Sequence, residues 1–374
     1  MRERRILITN LQLKTRSGTE LYVMDLARSL QSMGHRPIVF APNTGPLAES
    51  LVRQSIPVLD DLREIAVEPD IIHGHHNLET MSAMLRFPNA PGVFVCHDSF
   101  AWHDRAPKFP RIYRYIAVDN ACYDRLSVRD GIPTSKIDLI QNGVNLEKFQ
   151  SRGALPKTPR RALLLSNYAG ASQYLLINRV CRKMGIQLDA VGSQFGNVLE
   201  NPEKALVQYD VVFAKGRCAW EALSVGAAVI VCDASGCGEM VTSSEIERMA
   251  ASNFGRRLLN DPLSTKVLTR ELAKYDCQDA AIVSKAVRKR ANLSGIAHQL
   301  TDLYESVIGE HADAVRDIDQ EFVASSDYLQ WWAANRARLA KESEKKYRPD
   351  RIVKRVISGF RKQAARSFMA RRVA

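Results

Sequence analysis

Residues 209–241, YDVVFAKGRCAWEALSVGAAVIVCDASGCGEMV, constrain the fold more than any other stretch of the chain. An apolar run from Asp210 to Ala214 ends in Lys215-Gly216-Arg217, and a helix-forming segment follows with Glu221 in its first turns. A second apolar run from Ala227 to Cys232 then stops at Asp233. Strand, tight loop, helix and strand in this order form a parallel βαβ unit, because parallel neighbours need a crossover rather than a hairpin. Ligands of such sheets bind beyond the carboxyl ends of the strands, near helix N-termini whose free N–H groups and dipole favour anions. Lys215 and Arg217 stand where a diphosphate could sit. An ordinary βαβ unit with a solvated basic loop fits the same letters, so the segment alone leaves both readings open.

The alternation extends in both directions. Residues 6–9, 37–41, 56–59, 70–73, 92–96 and 112–118 read as short strands, and 21–33, 46–54 and 120–129 as helices. Strands separated by helix-length segments imply a parallel sheet covered on both faces. Residues 136–141 and the turn Asn142-Gly143-Val144-Asn145 bring this half to a break, and residues 151–161, rich in Pro and basic groups, read as a linker. The second half restarts with a strand at 162–166, a helix at 173–184 and a strand at 188–191. Residues 243–308 read as helical with an interruption at Pro262, and 328–340 as a helix that docks Trp331 and Trp332 on the body. The expected class is α/β, with two Rossmann-like parallel-sheet domains facing a central cleft. Their expected bounds are 1–152 and 153–310, followed by a helical segment at 311–350 and a basic amphipathic tail at 351–374.

With 374 residues, 45% of them hydrophobic, the chain can fill two cores. The opening MRERRILITNL runs straight into a strand pattern without a signal-peptide core, and no window approaches the roughly 18 apolar residues of a membrane span. Seven scattered cysteines, mostly inside apolar runs, are expected to be reduced and buried, as in a cytoplasmic protein. The net charge of +12 is concentrated at one end: residues 336–374 carry 14 Lys or Arg against Glu342, Glu344 and Asp350. There Ile352, Val353, Val356, Ile357 and Phe360 recur at near-helical spacing among basic residues, the pattern of a helix that lies on an anionic membrane surface. A solvated terminal helix satisfies the same pattern. No aromatic-interleaved stacking platform accompanies the charge, which argues against nucleic acid as the partner.

Several spaced motifs together identify a family. They are Ser17-Gly18-Thr19-Glu20 after the first strand, Asp70-Ile71-Ile72-His73-Gly74-His75, and His97-Asp98 after a strand. Asn142-Gly143-Val144-Asn145 with Phe149, Glu221-Ala222-Leu223 with Gly226, and Asp233 with Glu239 complete the set. Up to about residue 310 the chain resembles the retaining nucleotide-sugar glycosyltransferases of family 4, which have the GT-B fold. The resemblance implies sugar transfer from a nucleotide-sugar donor held mainly by the second domain to a glycan or lipid-linked acceptor held mainly by the first, with no metal or other cofactor. It makes His97 and Asp98 the catalytic candidates. Gly18, Asn142, Lys215, Gly216, Arg217, Glu221 and Glu239 become donor-side residues, and Thr19, Glu20, His73 and His75 acceptor-side residues. Glu221 corresponds to the second Glu of the family's E-x7-E motif, whose carboxylate can accept from two ribose hydroxyls. Each of these residues also has a structural reading: Glu221 as a helix first-turn carboxylate, His97 and Asp98 as a strand-end pair satisfying loop amides. His73, His75 and His76 are expected to diverge from one another, with no carboxylate near enough to complete a metal site.

Two departures stand beside the matches. Phe213 occupies the place of the first Glu of E-x7-E, and residues 166–172, SNYAGAS, lack the Arg and Lys that the family places after the first strand of its second domain. Lys215 and Arg217 are expected to supply that charge from the neighbouring loop. A nucleotide-sugar epimerase or hydrolase on the same architecture, and a non-catalytic protein that binds a glycan or a partner, remain alternatives.

Overall fold

The structure is a computed structural model that describes residues 2–197 and 199–346. The expected basic tail at 351–374 lies outside the described residues. The chain divides into two compact units: Met1–Gly143 with Leu293–Glu342, and a second built on Val144–Asn292.

The first unit holds a seven-stranded sheet. Its strands are β1 (Arg5–Thr9), β2 (Arg36–Phe40), β3 (Val58–Leu59), β4 (Ile71–His75), β5 (Gly92–Cys96), β6 (Ile112–Ala117) and β7 (Ile137–Leu139). They lie in the order β3-β2-β1-β4-β5-β6-β7, with every pair parallel. Every residue of β4 and β5 is buried, as expected of central strands covered by helices on both faces. The order reverses between β1 and β4, so the chain leaves these two neighbours in opposite directions and opens a crevice at their carboxyl ends. The helix Gly18–Ser32 follows β1 and the helix Asn77–Arg86 follows β4. Gly74 permits that second packing, since a Cβ there would meet the Thr80 side chain at 2.4 Å.

The second unit carries β8 (Arg161–Leu165), β9 (Gln187–Val191), β10 (Val211–Ala214), β11 (Ala228–Asp233) and β12 (Gly236–Met240), in the order β12-β11-β10-β8-β9. β8 to β11 run parallel, and β12 is antiparallel to β11. After Asp233, where the apolar run stops, the chain forms a hairpin: Ala234 and Ser235 turn it, and Cys232 faces Cys237 across the register. The opening βαβ reading holds in β10, the helix Arg217–Val225 and β11.

The expected domain bounds of 152/153 and 310 differ from the observed crossings at 143/144 and 292/293. The reason is packing. The helix Leu293–Asp313 buries Ile296, Leu300, Tyr304 and Val307 in the core of the first unit, although it follows the second in sequence. Arg4 pairs with Glu305 at 2.5 Å and Arg114 with Glu310 at 2.9 Å along its length. The last helix, Ile318–Lys346, begins ten residues earlier than the sequence pattern indicates. It docks on the first unit through Arg111–Glu321 at 3.0 Å, through Tyr328, whose hydroxyl donates to Asn77 Oδ1 at 2.9 Å, and through Trp332 against Trp102. The helix expected at 120–129 is α-helical only over Asn120–Asp124 and continues as a π-turn over Arg125–Arg129. Among the described residues no helix is long and apolar enough to cross a membrane.

Candidate functional site

In the second unit the order of strands brings β8 and β10 side by side, and their carboxyl ends gather three loops. Ser166 directly follows β8. Its hydroxyl accepts from the N–H groups of Tyr168 and Ala169 at 3.1 and 3.0 Å and donates to Asp233 Oδ1 at 2.7 Å. Asp233 ends β11 and is buried, and its second oxygen lies 2.9 Å from the ammonium of Lys215, which follows β10. That ammonium also sits 4.9 Å from the centre of the Tyr168 ring, within cation–π reach. Ser166, Asp233, Lys215 and Tyr168 thus tie the ends of three strands into one polar cluster.

Two helices begin beside it. Gly170 precedes Ala171–Lys183 and Gly216 precedes Arg217–Val225. Gly216 has φ +56°, a conformation that a side chain would strain, and it lets the chain turn directly from strand end into helix. Both helix starts present N–H groups and a positive dipole end.

The structure places the predicted donor-side residues as follows. Lys215 and Arg217, expected as the cations for a diphosphate, each lie on a carboxylate: Lys215 on Asp233, and Arg217 Nε on Glu221 Oε1 at 2.7 Å. Glu221 is buried, and one of its oxygens is engaged by Arg217 one turn earlier on the same helix. Glu239 stands in β12, paired with Arg248 at 3.1 Å. Asn142 belongs to the first unit, beside the chain crossing.

In the first unit the carboxyl ends of β4 and β5 carry a ladder of aromatic nitrogens. His73 and His75 alternate along β4 and so share one face, correcting the expectation that they diverge. Their rings lie 4.7 Å apart. His75 Nδ1 is 2.9 Å from His97 Nε2, and His73 Nδ1 is 2.6 Å from the hydroxyl of Tyr304. Tyr22 packs its edge against His75 and His97 at 5.3 and 4.9 Å. Burial pushes His73 and His97 down to about 3 and His75 well below the ordinary imidazole value, so all three rings are neutral at pH 7.

Other predicted residues hold the loops around this ladder. Asp98 accepts from the N–H groups of Phe100 and Ala101 at 2.6 and 2.9 Å, fixing the turn after β5. Glu20 is buried and accepts from Gln12 Nε2 at 2.7 Å and from the Thr15 hydroxyl at 2.9 Å, while reaching back to the Ser17 N–H at 3.5 Å. The carboxylate expected to face an acceptor therefore ties the β1 loop to the start of its helix. Thr19 is half-buried on the same turn. Gly18 opens the helix with nothing within 4 Å of where its Cβ would be, so neighbouring protein atoms do not require glycine there.

A carboxylate does approach the histidine cluster, contrary to expectation. His76, His103 and Asp104 bring potential metal-ligand atoms within 4.8 Å of one another. The donor chemistry opposes an ion. His76 Nδ1 accepts from the Leu11 N–H at 2.9 Å, so the proton of the neutral ring sits on Nε2 and leaves no lone pair for a metal. His76 also has φ +61°, a strained backbone that the Leu11 bond and two bonds from Thr80 to the His76 carbonyl hold in place.

Ser166, Tyr168, Tyr22, His103, Asp104 and Tyr304 escaped the sequence reading. Ser166 could have been found as a polar residue just past an apolar strand. Tyr304 carries no such signal, because its partner His73 lies 231 positions away.

The sequence model of Glycosyltransferase Family 4 matches residues 16–148. A comparison with curated proteins finds no match. Among solved structures, a glycosyltransferase from Rickettsia africae is similar at 15% identity, with a TM-score of 0.57 over 82% of this chain and 99% of that one. HepE of Anabaena, solved in complex with UDP and glucose, is similar at 15% identity, with a TM-score of 0.58 over 81% of this chain and 100% of that one. The lipopolysaccharide outer core galactosyltransferase WaaB is similar at 11% identity, with a TM-score of 0.53 over 81% of this chain and 99% of that one. At these identities the likeness speaks for the fold, and the match over residues 16–148 for the family. Residues 16–148 are thus similar to Glycosyltransferase Family 4, and the two Rossmann-like units have the GT-B fold.

Proposed function

We propose that the protein moves a sugar, with retention of configuration, from a nucleoside-diphosphate sugar bound at the second unit to a hydroxyl of a glycan or glycolipid acceptor bound at the first. The observation that carries this reading is the Ser166–Asp233–Lys215 cluster, set between two helix starts at the carboxyl ends of β8, β10 and β11. Asp233 and the Tyr168 ring hold the Lys215 ammonium beside backbone N–H groups that favour an anion, so a diphosphate arriving there meets charge stabilisation already in position. Departure of the diphosphate and attack by the acceptor hydroxyl on the same face need positioning and charge stabilisation. Complexes of HepE with UDP make a uridine nucleotide the first donor to try. Assembly of a surface glycan or glycolipid is the proposed setting, with residues 351–374 holding the protein at the inner face of the membrane.

The experiment is nucleotide release from a panel of nucleotide-sugars, with and without a glycolipid extract, for the unaltered chain and Lys215→Met. Release that requires the acceptor and falls in the variant is expected. Release without any acceptor points to a hydrolase or epimerase. Binding without release points to a non-catalytic protein, a reading favoured by the pairing of both Lys215 and Arg217 with carboxylates.

A further inference from the structure

The geometry points to His75 as the positioning residue that fixes the tautomer of His97, placing the His97 proton on Nδ1 and making that residue a hydrogen-bond donor rather than a base. Its functional meaning rests on the proposal above that the first unit binds a sugar hydroxyl.

Tyr304 is buried, and its hydroxyl has one hydrogen-bonding neighbour, His73 Nδ1 at 2.6 Å. A phenolic O–H is a stronger donor than an imidazole N–H and an imidazole lone pair a stronger acceptor than a phenol oxygen, so the hydroxyl donates to Nδ1 and neutral His73 carries its proton on Nε2. That Nε2 is buried without a partner. His75 Nε2 is likewise buried and unpartnered, on a ring 4.7 Å from that of His73. One proton lies between His75 Nδ1 and His97 Nε2, 2.9 Å apart. If His97 supplied it, His75 would bear its own proton on Nε2, and two unsatisfied N–H groups would share one dry pocket with like dipole ends close together. If His75 supplies it, its Nε2 is a bare lone pair beside the His73 N–H. The second arrangement buries one orphan donor instead of two, and a buried donor without a partner carries its whole desolvation penalty.

Among the described residues no carboxylate is hydrogen-bonded to any of the three rings, so none of them is held as an imidazolium. His97 Nε2 is then an acceptor satisfied from within, and its remaining proton sits on Nδ1. Among the described residues that atom has no hydrogen-bond partner, and unlike His73 Nε2 and His75 Nε2 it is not sealed from solvent. The His97 N–H is thus presented outward, matched to an oxygen lone pair such as that of a sugar hydroxyl. Tyr22 against both rings keeps His97 from turning over.

The test is long-range proton–nitrogen NMR of the full chain labelled at histidine nitrogen, with His97 assigned by its absence in His97→Asn. The expected spectrum shows His97 with a protonated Nδ1 and a bare Nε2. In His75→Leu, which cannot donate, that pattern should give way to a tautomer mixture, and in His75→Asn, whose amide can stand in for the Nδ1–H, it should persist. A protonated His97 Nε2 in the unaltered chain overturns the inference, and so does an unchanged His97 in His75→Leu. The spectrum of the unaltered chain decides the matter even if a His75 variant fails to fold. In turnover, His97→Gln should fall about tenfold below His97→Asn, whose amide reaches the Nδ1 position, and the reverse order overturns the donor role. If no nucleotide-sugar is turned over at all, the proposed function fails while the spectrum still decides the tautomer.

Discussion

The ammonium of Lys215 and the carboxylate of Asp233 meet at 2.9 Å across the ends of two adjacent parallel strands, with Ser166 holding the second carboxylate oxygen at 2.7 Å. The pair sets the charge at the centre of the proposed donor site. Lys215→Met keeps most of the unbranched side chain and removes its charge. Binding of UDP should weaken by about tenfold or more, since a charge-assisted contact contributes roughly 1.5–3 kcal/mol. Titration of the variant with UDP by calorimetry measures this, and an unchanged affinity would remove Lys215 from the diphosphate site.

Glu20 serves structure rather than the acceptor. Glu20→Ala should destabilise the first unit by about 1–3 kcal/mol, because it strips partners from Gln12, Thr15 and the helix start. Glu20→Gln, which can still accept, should lose less. Denaturant unfolding gives both values, and an Ala variant as stable as the parent contradicts this role.

Acid should weaken the first unit. Burial pushes His73 and His97 down to about 3, and it holds His75 and His76 well below the usual imidazole range. It also pushes Glu79 and Asp104 up to about 7. Between pH 6.5 and about 4.5, unfolding lets the four imidazoles take up protons while the two carboxyls release theirs, so the unfolded state gains about two protons net. Stability therefore falls as pH falls through this window, by roughly 2–3 kcal/mol per pH unit. Urea midpoints of the first unit at pH 7, 6 and 5 should decrease in that order; a flat or rising series would show that the carboxyls outweigh the imidazoles.

The helix Leu293–Asp313 belongs to the first core. Leu300→Ala, at a fully buried position of that helix, should cost about 2–5 kcal/mol. Scanning calorimetry should show one unit unfolding earlier and the other unmoved. A shift of the second unit alone would contradict the observed division.

Legible in the letters alone were the class of fold and most of the succession of strands and helices along the chain. Those features are local: apolar runs of strand length, helix-length crossovers and breaks such as Lys215-Gly216 are written in neighbouring residues. The helix Asn77–Arg86 went unread because its first turn is polar and its buried Met81, Ala83 and Met84 follow too short a pattern. Glu20 and Glu221 were legible as positions but not as partners, since a string of letters shows a carboxylate without showing which donor reaches it first.

It takes the folded chain to show that Lys215 faces Asp233, that Tyr304 joins His73, and that a helix following the second unit completes the first. Each of these pairings spans strands or units whose adjacency depends on sheet order. Hydrophobic periodicity assigns a residue to a face. Which other residue shares that face is settled by burial of the whole core, and the hydrogen bonds at the site follow from that.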